Sequence, residues 1–105
     1  MTKFRYVHYE IIDAVAEITI DRPPVNAINL DLIEEVVARM RQAGEDNEAR
    51  AVILKSAHEK TFCAGLDMKE IMETAAEMSP AEFYRFQARF ARLNLHMRRA
   101  PQPII

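Results

Sequence analysis

The sequence predicts an α/β domain in which helices pack on a mixed sheet. Three observations predict it: two neighbouring runs rich in β-branched and aromatic residues (4–10 and 14–20), apolar residues at helical spacing across 29–44, and a short continuous apolar run at 51–56 followed by two further helix starts. Strand-like segments interleaved with helical ones are the pattern of a layered α/β fold. With 105 residues, 50% of them hydrophobic, the chain reads as one domain, residues 1–105, long enough to bury a core without disulfide or metal staples.

Each element has its own warrant. The first two runs, with Val15, Ile18 and Ile20 prominent in the second, read as a hairpin about Ile12-Asp13. Asp21-Arg22-Pro23-Pro24-Val25-Asn26 must then be loop, because consecutive prolines lack amide donors and push the preceding residue out of helical geometry. Asn29 is a good N-cap, Ile33, Val36, Val37 and Met40 share one helical face, and Gly44 is placed to end that helix. Glu35 and Arg39, four residues apart, are spaced to pair on its surface. Ala51-Val-Ile-Leu-Lys-Ser56 is a short apolar run, as expected for a strand buried on both faces and so in a parallel or mixed sheet. A loop follows across 57–65. Asp67 begins a second helix, and Ser79-Pro80-Ala81-Glu82 begins a third with a capping box and proline in the first turn, ended by Pro101. Pro103-Ile104-Ile105 reads as the start of another strand, so the domain is expected to be truncated.

Composition narrows the function. The balance of 14 Lys plus Arg against 16 Asp plus Glu, formal charge -2, creates no global field for nucleic acid or an anionic membrane. Cys63 is the only cysteine, which excludes an intramolecular disulfide and suits a reducing compartment. The start, Met1-Thr2-Lys3-Phe4, carries no signal-peptide core, and no apolar run approaches 18 residues, so a cytoplasmic location is expected. Only Gly44 and Gly65 occur, where average usage of about 7% would give about seven, and a glycine-rich phosphate cradle is therefore missing.

The strongest chemical candidate is Phe62-Cys63-Ala64-Gly65-Leu66-Asp67-Met68, read as a buried strand leading through a loop into a helix N-terminus. Small residues at Ala64 and Gly65 let a ligand approach the main chain, and the Leu66 amide lies beside a helix start whose partial positive charge favours an oxyanion. The residues alone leave a second reading open: a plain helix entry, with small residues easing packing and Asp67 as N-cap.

Arg22-Pro23-Pro24-Val25-Asn26-Ala27-Ile28-Asn29, followed about three dozen residues later by Phe62-Cys63-Ala64-Gly65-Leu66-Asp67-Met68-Lys69-Glu70, resembles the N-terminal half of the crotonase (enoyl-CoA hydratase/isomerase) family. The resemblance runs the length of the chain. It implies the N-terminal part of a crotonase-like (ClpP/crotonase) fold and an acyl-CoA thioester as substrate. By position, Leu66 would supply one of two backbone amides that bind the thioester oxygen, and Pro24, Val25, Ala27, Ala64, Leu66, Asp67 and Met68 would line the ligand. Leu at position 66, where many hydratases of the family carry Ala, resembles a variant also found among enoyl-CoA isomerases. The second amide and the acid/base carboxylates of the family lie further along than Ile105, so the 105-residue chain alone is expected to be inactive. Coenzyme A is part of the substrate, and no separate cofactor or metal is implied.

Other residues have duller readings. Cys63 with His58 as base would make a nucleophile, but no adjacent cation or orienting carboxylate is evident, and a small buried hydrophobe fits better. His8, His58 and His96 lack metal-ligand spacing. Glu70, Glu73 and Glu77 read as a solvated helix face. Phe83, Phe86, Phe90, Leu93 and Met97 form a packing seam, with Arg85, Arg89, Arg92 and Arg99 along another side; a solvated or inter-subunit surface explains those arginines better than nucleic acid. In a truncated chain part of the seam would stay uncovered, so a homo-oligomer is expected. The alternative to the enzyme reading is a non-catalytic α/β fragment that self-associates or binds a partner chain.

Overall fold

The computed structural model describes residues 3–105; Met1 and Thr2, part of the start read above, lie outside the described residues. Strands β1 (Val7–Ile12) and β2 (Val15–Ile20) pair antiparallel, with Val7 opposite Ile20 and Ile12 opposite Val15. The turn falls on Asp13-Ala14, one residue later than expected, and both residues are left-handed, with φ of 49° and 66°. Positive φ at both central positions matches the twist of a two-residue hairpin.

The first strand also begins later than expected, at Val7 rather than Phe4. The reason is Glu35. Its carboxylate Oε1 accepts the backbone N–H groups of Arg5, Tyr6 and Val7 at 2.7, 2.8 and 3.2 Å, diverting the first of these amides from strand pairing. Glu35 is thus buried and does not pair with Arg39 on the helix surface. Arg39 instead donates to the Val7 carbonyl and the Gln42 side chain and lies over the Phe4 ring, 3.5 Å from its centroid.

Helix α1 (Leu30–Glu45) starts at the expected cap: Asn29 Oδ1 accepts the Leu32 N–H at 2.9 Å. Leu32, Ile33, Val36, Val37, Met40 and Ala43 are its buried apolar residues. Gly44 does not end it. The helix runs one residue further, and Asp46, extended, caps it by donating its N–H to the Ala43 carbonyl. A methyl group on Gly44 would make only ordinary contact with Pro101, at 3.6 Å.

Strand β3 (Ala51–Ser56) pairs parallel to β2, so the sheet order is β1-β2-β3 and the sheet is mixed, as the sequence predicts. Residues 103–105 attach to its other edge: Val52 donates to the Pro103 carbonyl, and Ile105 and Leu54 complete the parallel bridge, each bond 2.9 Å. The core occupies one side of the sheet, where Val7, Ala16, Ile18, Ile20 and Val52 meet Leu32, Val36, Met40 and Ala43 of α1. Ile53, on the opposite face, is only half-buried, so β3 is not covered on both faces.

Helix α2 (Met68–Ala75) buries none of its residues fully. In α3 (Pro80–Arg98), Ser79 Oγ accepts the Glu82 N–H at 3.2 Å and proline occupies the first turn, as expected. Its seam is real but divided: Leu93 and Met97 pack on the core and Phe86 is buried, while Phe83 remains 37% exposed.

Replacing Glu35 by Ala leaves three amides without their charged acceptor and should lower the unfolding free energy by about 3 kcal/mol or more. Glu35→Gln keeps one acceptor oxygen and should lose less. Urea denaturation measures both; equal stability of Glu35→Ala and the parent chain would contradict this role.

Candidate functional site

The two sequence motifs meet edge to edge. Ala64 donates its N–H to the Val25 carbonyl at 3.0 Å, Ile28 donates to the Gly65 carbonyl at 2.8 Å, and Asp67 donates to the Ile28 carbonyl at 2.8 Å. Ile28 and Leu66 therefore face each other as a parallel bridge. In that geometry the flanking peptide groups of Gly65 and Asp67 serve Ile28, which turns the N–H of Leu66 to the other side. Among the described residues, the Leu66 N–H has no hydrogen-bond partner.

Asn26 is the hub of this junction. It is fully buried and left-handed, with φ 54°, a conformation asparagine tolerates better than most residues. Its Oδ1 accepts the Arg22 N–H at 2.7 Å. Its Nδ2 donates to Ser56 Oγ at 2.9 Å, to the Phe62 carbonyl at 3.0 Å and, more weakly, to the Ile20 carbonyl at 3.3 Å. One side chain thus joins the C-terminal ends of β2 and β3 to both loops.

Arg22 forms the second tie. Its guanidinium donates to the Ala27 carbonyl at 2.8 Å, to Asp67 Oδ2 at 2.9 Å and to Glu70 Oε2 at 3.0 Å. Glu70 Oε1 also accepts from Asn29 Nδ2 at 3.1 Å, so the caps of α1 and α2 are linked. Burial of Arg22 opposes its charge, but hydrogen bonds to Asp67 and Tyr6 and the charge of Glu70 outweigh that, and its pKa is raised. Asp67 is held below its ordinary value of 3.8, first by the Arg22 hydrogen bond and then by the Glu70 N–H it accepts as N-cap.

Several expectations change here. The 62–68 segment is an exposed loop rather than a buried strand: Phe62, Leu66 and Met68 are 55%, 48% and 57% exposed. Gly65, at φ 91° with open space around it, is needed for its backbone conformation. Cys63 is half-buried, not buried; its Sγ donates to the Asn26 carbonyl and accepts the Gly65 N–H, both at 3.4 Å. His58 faces Asp21, its Nε2 3.4 Å from Oδ1, and no hydrogen bond joins it to Cys63 among the described residues. Glu70 belongs to the ion cluster and Glu73 is exposed on α2, while Glu77, also exposed, lies in the turn beyond the end of that helix. Pro24, Val25, Ala64, Leu66 and Met68 are exposed, Ala27 is half-buried, and Asp67 is tied up by Arg22. The structuring roles of Arg22, Asn26 and Glu70, and the second bond by which the cap residue Asn29 reaches Glu70, were not evident from spacing; asparagine just after Pro-Pro-Val, where a turn needs positive φ, was the available signal.

The fold is that of the crotonases: it matches the crystal structure of a putative enoyl CoA hydratase/isomerase (crotonase) from Legionella pneumophila with a TM-score of 0.84 at 28% identity, over 93% of this chain and 38% of that one. The crystal structure of a probable enoyl-CoA hydratase from Mycobacterium smegmatis matches with a TM-score of 0.81 at 33% identity, over 96% of this chain and 39% of that one. Residues 10–105 match the enoyl-CoA hydratase/isomerase family, and the chain belongs to it. It is 34% identical to the mitochondrial 3-hydroxyisobutyryl-CoA hydrolase of Danio rerio, over 75% of this chain and 22% of that protein. To the short-chain-enoyl-CoA hydratase of Clostridium acetobutylicum it is 43% identical, over 56% of this chain and 23% of that protein. The chain thus spans roughly one fifth to two fifths of the length of these relatives.

A carboxylate with a lowered pKa stabilises the fold above its unfolded pKa, and that stabilisation is lost as pH falls through the folded value. The Arg22–Asp67 tie should therefore persist until the pH drops below 3.8. In a carboxyl NMR titration the Asp67 midpoint should lie below 3.8 and return toward it in Arg22→Gln; a midpoint that this substitution does not move would contradict the assignment.

Proposed function

We propose that this chain carries half of an acyl-CoA site. Its main-chain loop binds the thioester, and the Leu66 N–H supplies one of two donors to the thioester oxygen. The observation that carries the reading is the free Leu66 amide, flanked by two peptide groups committed to Ile28 and set one residue before the N-cap of α2. The amides at that helix start contribute positive potential where an enolate oxygen gathers charge. Pro24, Val25, Ala27, Ala64, Asp67 and Met68 are the residues we assign to the lining of this ligand, and the relatives' CoA-ester names support a CoA thioester.

A single donor is an incomplete oxyanion hole, and loss of one donor typically costs about 2.7 to 4 kcal/mol of barrier stabilisation. The second donor and the proton-transfer groups are to come from residues outside these 105, in keeping with the chain's share of its relatives' length. Hydration, isomerisation and thioester hydrolysis all begin from the same polarised carbonyl, so the half-site serves any of them. No separate cofactor is invoked. Among the described residues no helix is long and apolar enough to cross a membrane; with one cysteine, a reducing compartment such as the cytoplasm suits the chain.

A second reading, self-association through exposed apolar side chains, is favoured by one observation: Phe83, Tyr84 and Met72 are 37%, 74% and 64% exposed. It is compatible with the first, because a crotonase half-site can sit in an oligomer.

Calorimetric titration with acetyl-CoA tests the proposal. Binding should be saturable, retained in Leu66→Ala, and weakened about fivefold in Leu66→Pro, which deletes the free N–H and no other hydrogen bond described here. The 105-residue chain should not hydrate crotonyl-CoA. Absence of binding, or equal binding by the proline variant, would overturn the reading, and turnover by the isolated chain would show that the half-site is not the whole story.

A further inference from the structure

An open cavity of about 240 Å³ lies between α1 and α3, lined by Ile33, Glu34, Val37, Ala38, Arg41, Arg89 and Arg92. None of these residues belongs to the loops around Leu66. Three exposed arginines from two helices thus line one concavity, beside Ile33 and Val37, which are buried. Only one of them has a counter-charge among the described residues: Arg89 Nη1 lies 3.4 Å from Glu34 Oε1. Arg41 and Arg92 have none.

We propose that this cavity is a binding site for a small, multiply charged oxyanion, a phosphate or pyrophosphate group, held by Arg41 and Arg92 with Arg89 at the rim. Guanidinium is planar and presents paired N–H donors that match such oxygens bidentately. Folding brings these like charges to one concavity with a single carboxylate, Glu34, and an anion relieves the repulsion. The cavity is too small to seat a folded partner, whereas an anion the size of pyrophosphate fits it.

His96, on the same helix, feels two of the same arginines. Its pKa lies below the ordinary 6.5, first through burial and then through the charges of Arg41 from α1 and Arg92 and Arg99 from α3. Arg41 and Arg92 account for part of that shift, so the imidazole can report an anion bound to them.

The test is titration with inorganic pyrophosphate at constant ionic strength, followed by calorimetry and by the His96 imidazole NMR signals. Binding should saturate at one site and move the His96 midpoint upward. Arg41→Gln and Arg92→Gln should each weaken it about tenfold. Glu34→Gln, which removes the competing carboxylate, should tighten it, an effect that general unfolding of a variant cannot imitate. Acetyl-CoA binding at Leu66 should be unchanged in Arg41→Gln, so failure of this site and failure of the half-site are separable. If glucose 6-phosphate competes as well as pyrophosphate does, the natural ligand carries its phosphate on a larger molecule; if only inorganic anions bind, the free anion is the ligand. Pyrophosphate binding that the arginine substitutions leave unchanged, or no saturable binding, overturns the proposal. So does binding of a single-stranded oligonucleotide that pyrophosphate does not displace.

Discussion

The side-chain amide of Asn26 is the contact on which the rest of the site depends. It is buried without exposure, and its oxygen and nitrogen serve four partners drawn from the loop before it, the ends of two strands and a loop 36 residues further on. A buried amide left unpaired costs about 1 to 3 kcal/mol per group, so the arrangement that satisfies all of it is strongly favoured over its alternatives. Ser56 extends the network. While accepting from Asn26, its hydroxyl also takes the His58 N–H at 2.9 Å and donates to the Thr61 carbonyl at 2.7 Å, which fixes the course of the chain between β3 and Phe62.

From that anchor the rest follows by main-chain geometry. With Phe62 held to Asn26, the next residues run alongside 25–28, and the parallel bridge at Ile28 and Leu66 commits the amides of Ile28 and Asp67. Arg22 then locks the far end, bonding both the cap of α2 and a carboxylate one turn inside it. The amide of Leu66 is left over by this pattern. On the proposed function that leftover donor is the reactive feature. Its position depends on backbone bonds and two buried polar side chains, which explains why Leu or a smaller residue would serve at position 66.

What was legible in the sequence was local. Asn29, Asp67 and Ser79 cap helices because each side chain bonds a backbone amide within three residues, and the order of strands and helices follows from short-range periodicity. The resemblance of the two motifs then supplied the family and the position of Leu66. Less legible were the residues whose partners lie far along the chain. Glu35 sits at a helical position suited to an ion pair with Arg39, yet the amides of residues 5 to 7 claim it. Glu70 falls in a regular acidic stripe, yet Arg22 and Asn29 draw it inward. Gly44 has the composition of a helix end, but the helix passes through it, since glycine permits a stop without imposing one.

The dependence of the Leu66 loop on Asn26 is measured most directly by amide hydrogen exchange in Asn26→Ala, read at Ile28, Ala64 and Asp67, whose own bonds the substitution leaves intact. Protection at these three amides should fall by at least about tenfold relative to the β1–β2 ladder, corresponding to the loss of more than about 1.4 kcal/mol of local stability. Protection that falls no further there than in the ladder would mean that the two loops hold each other without Asn26, and the account would be wrong.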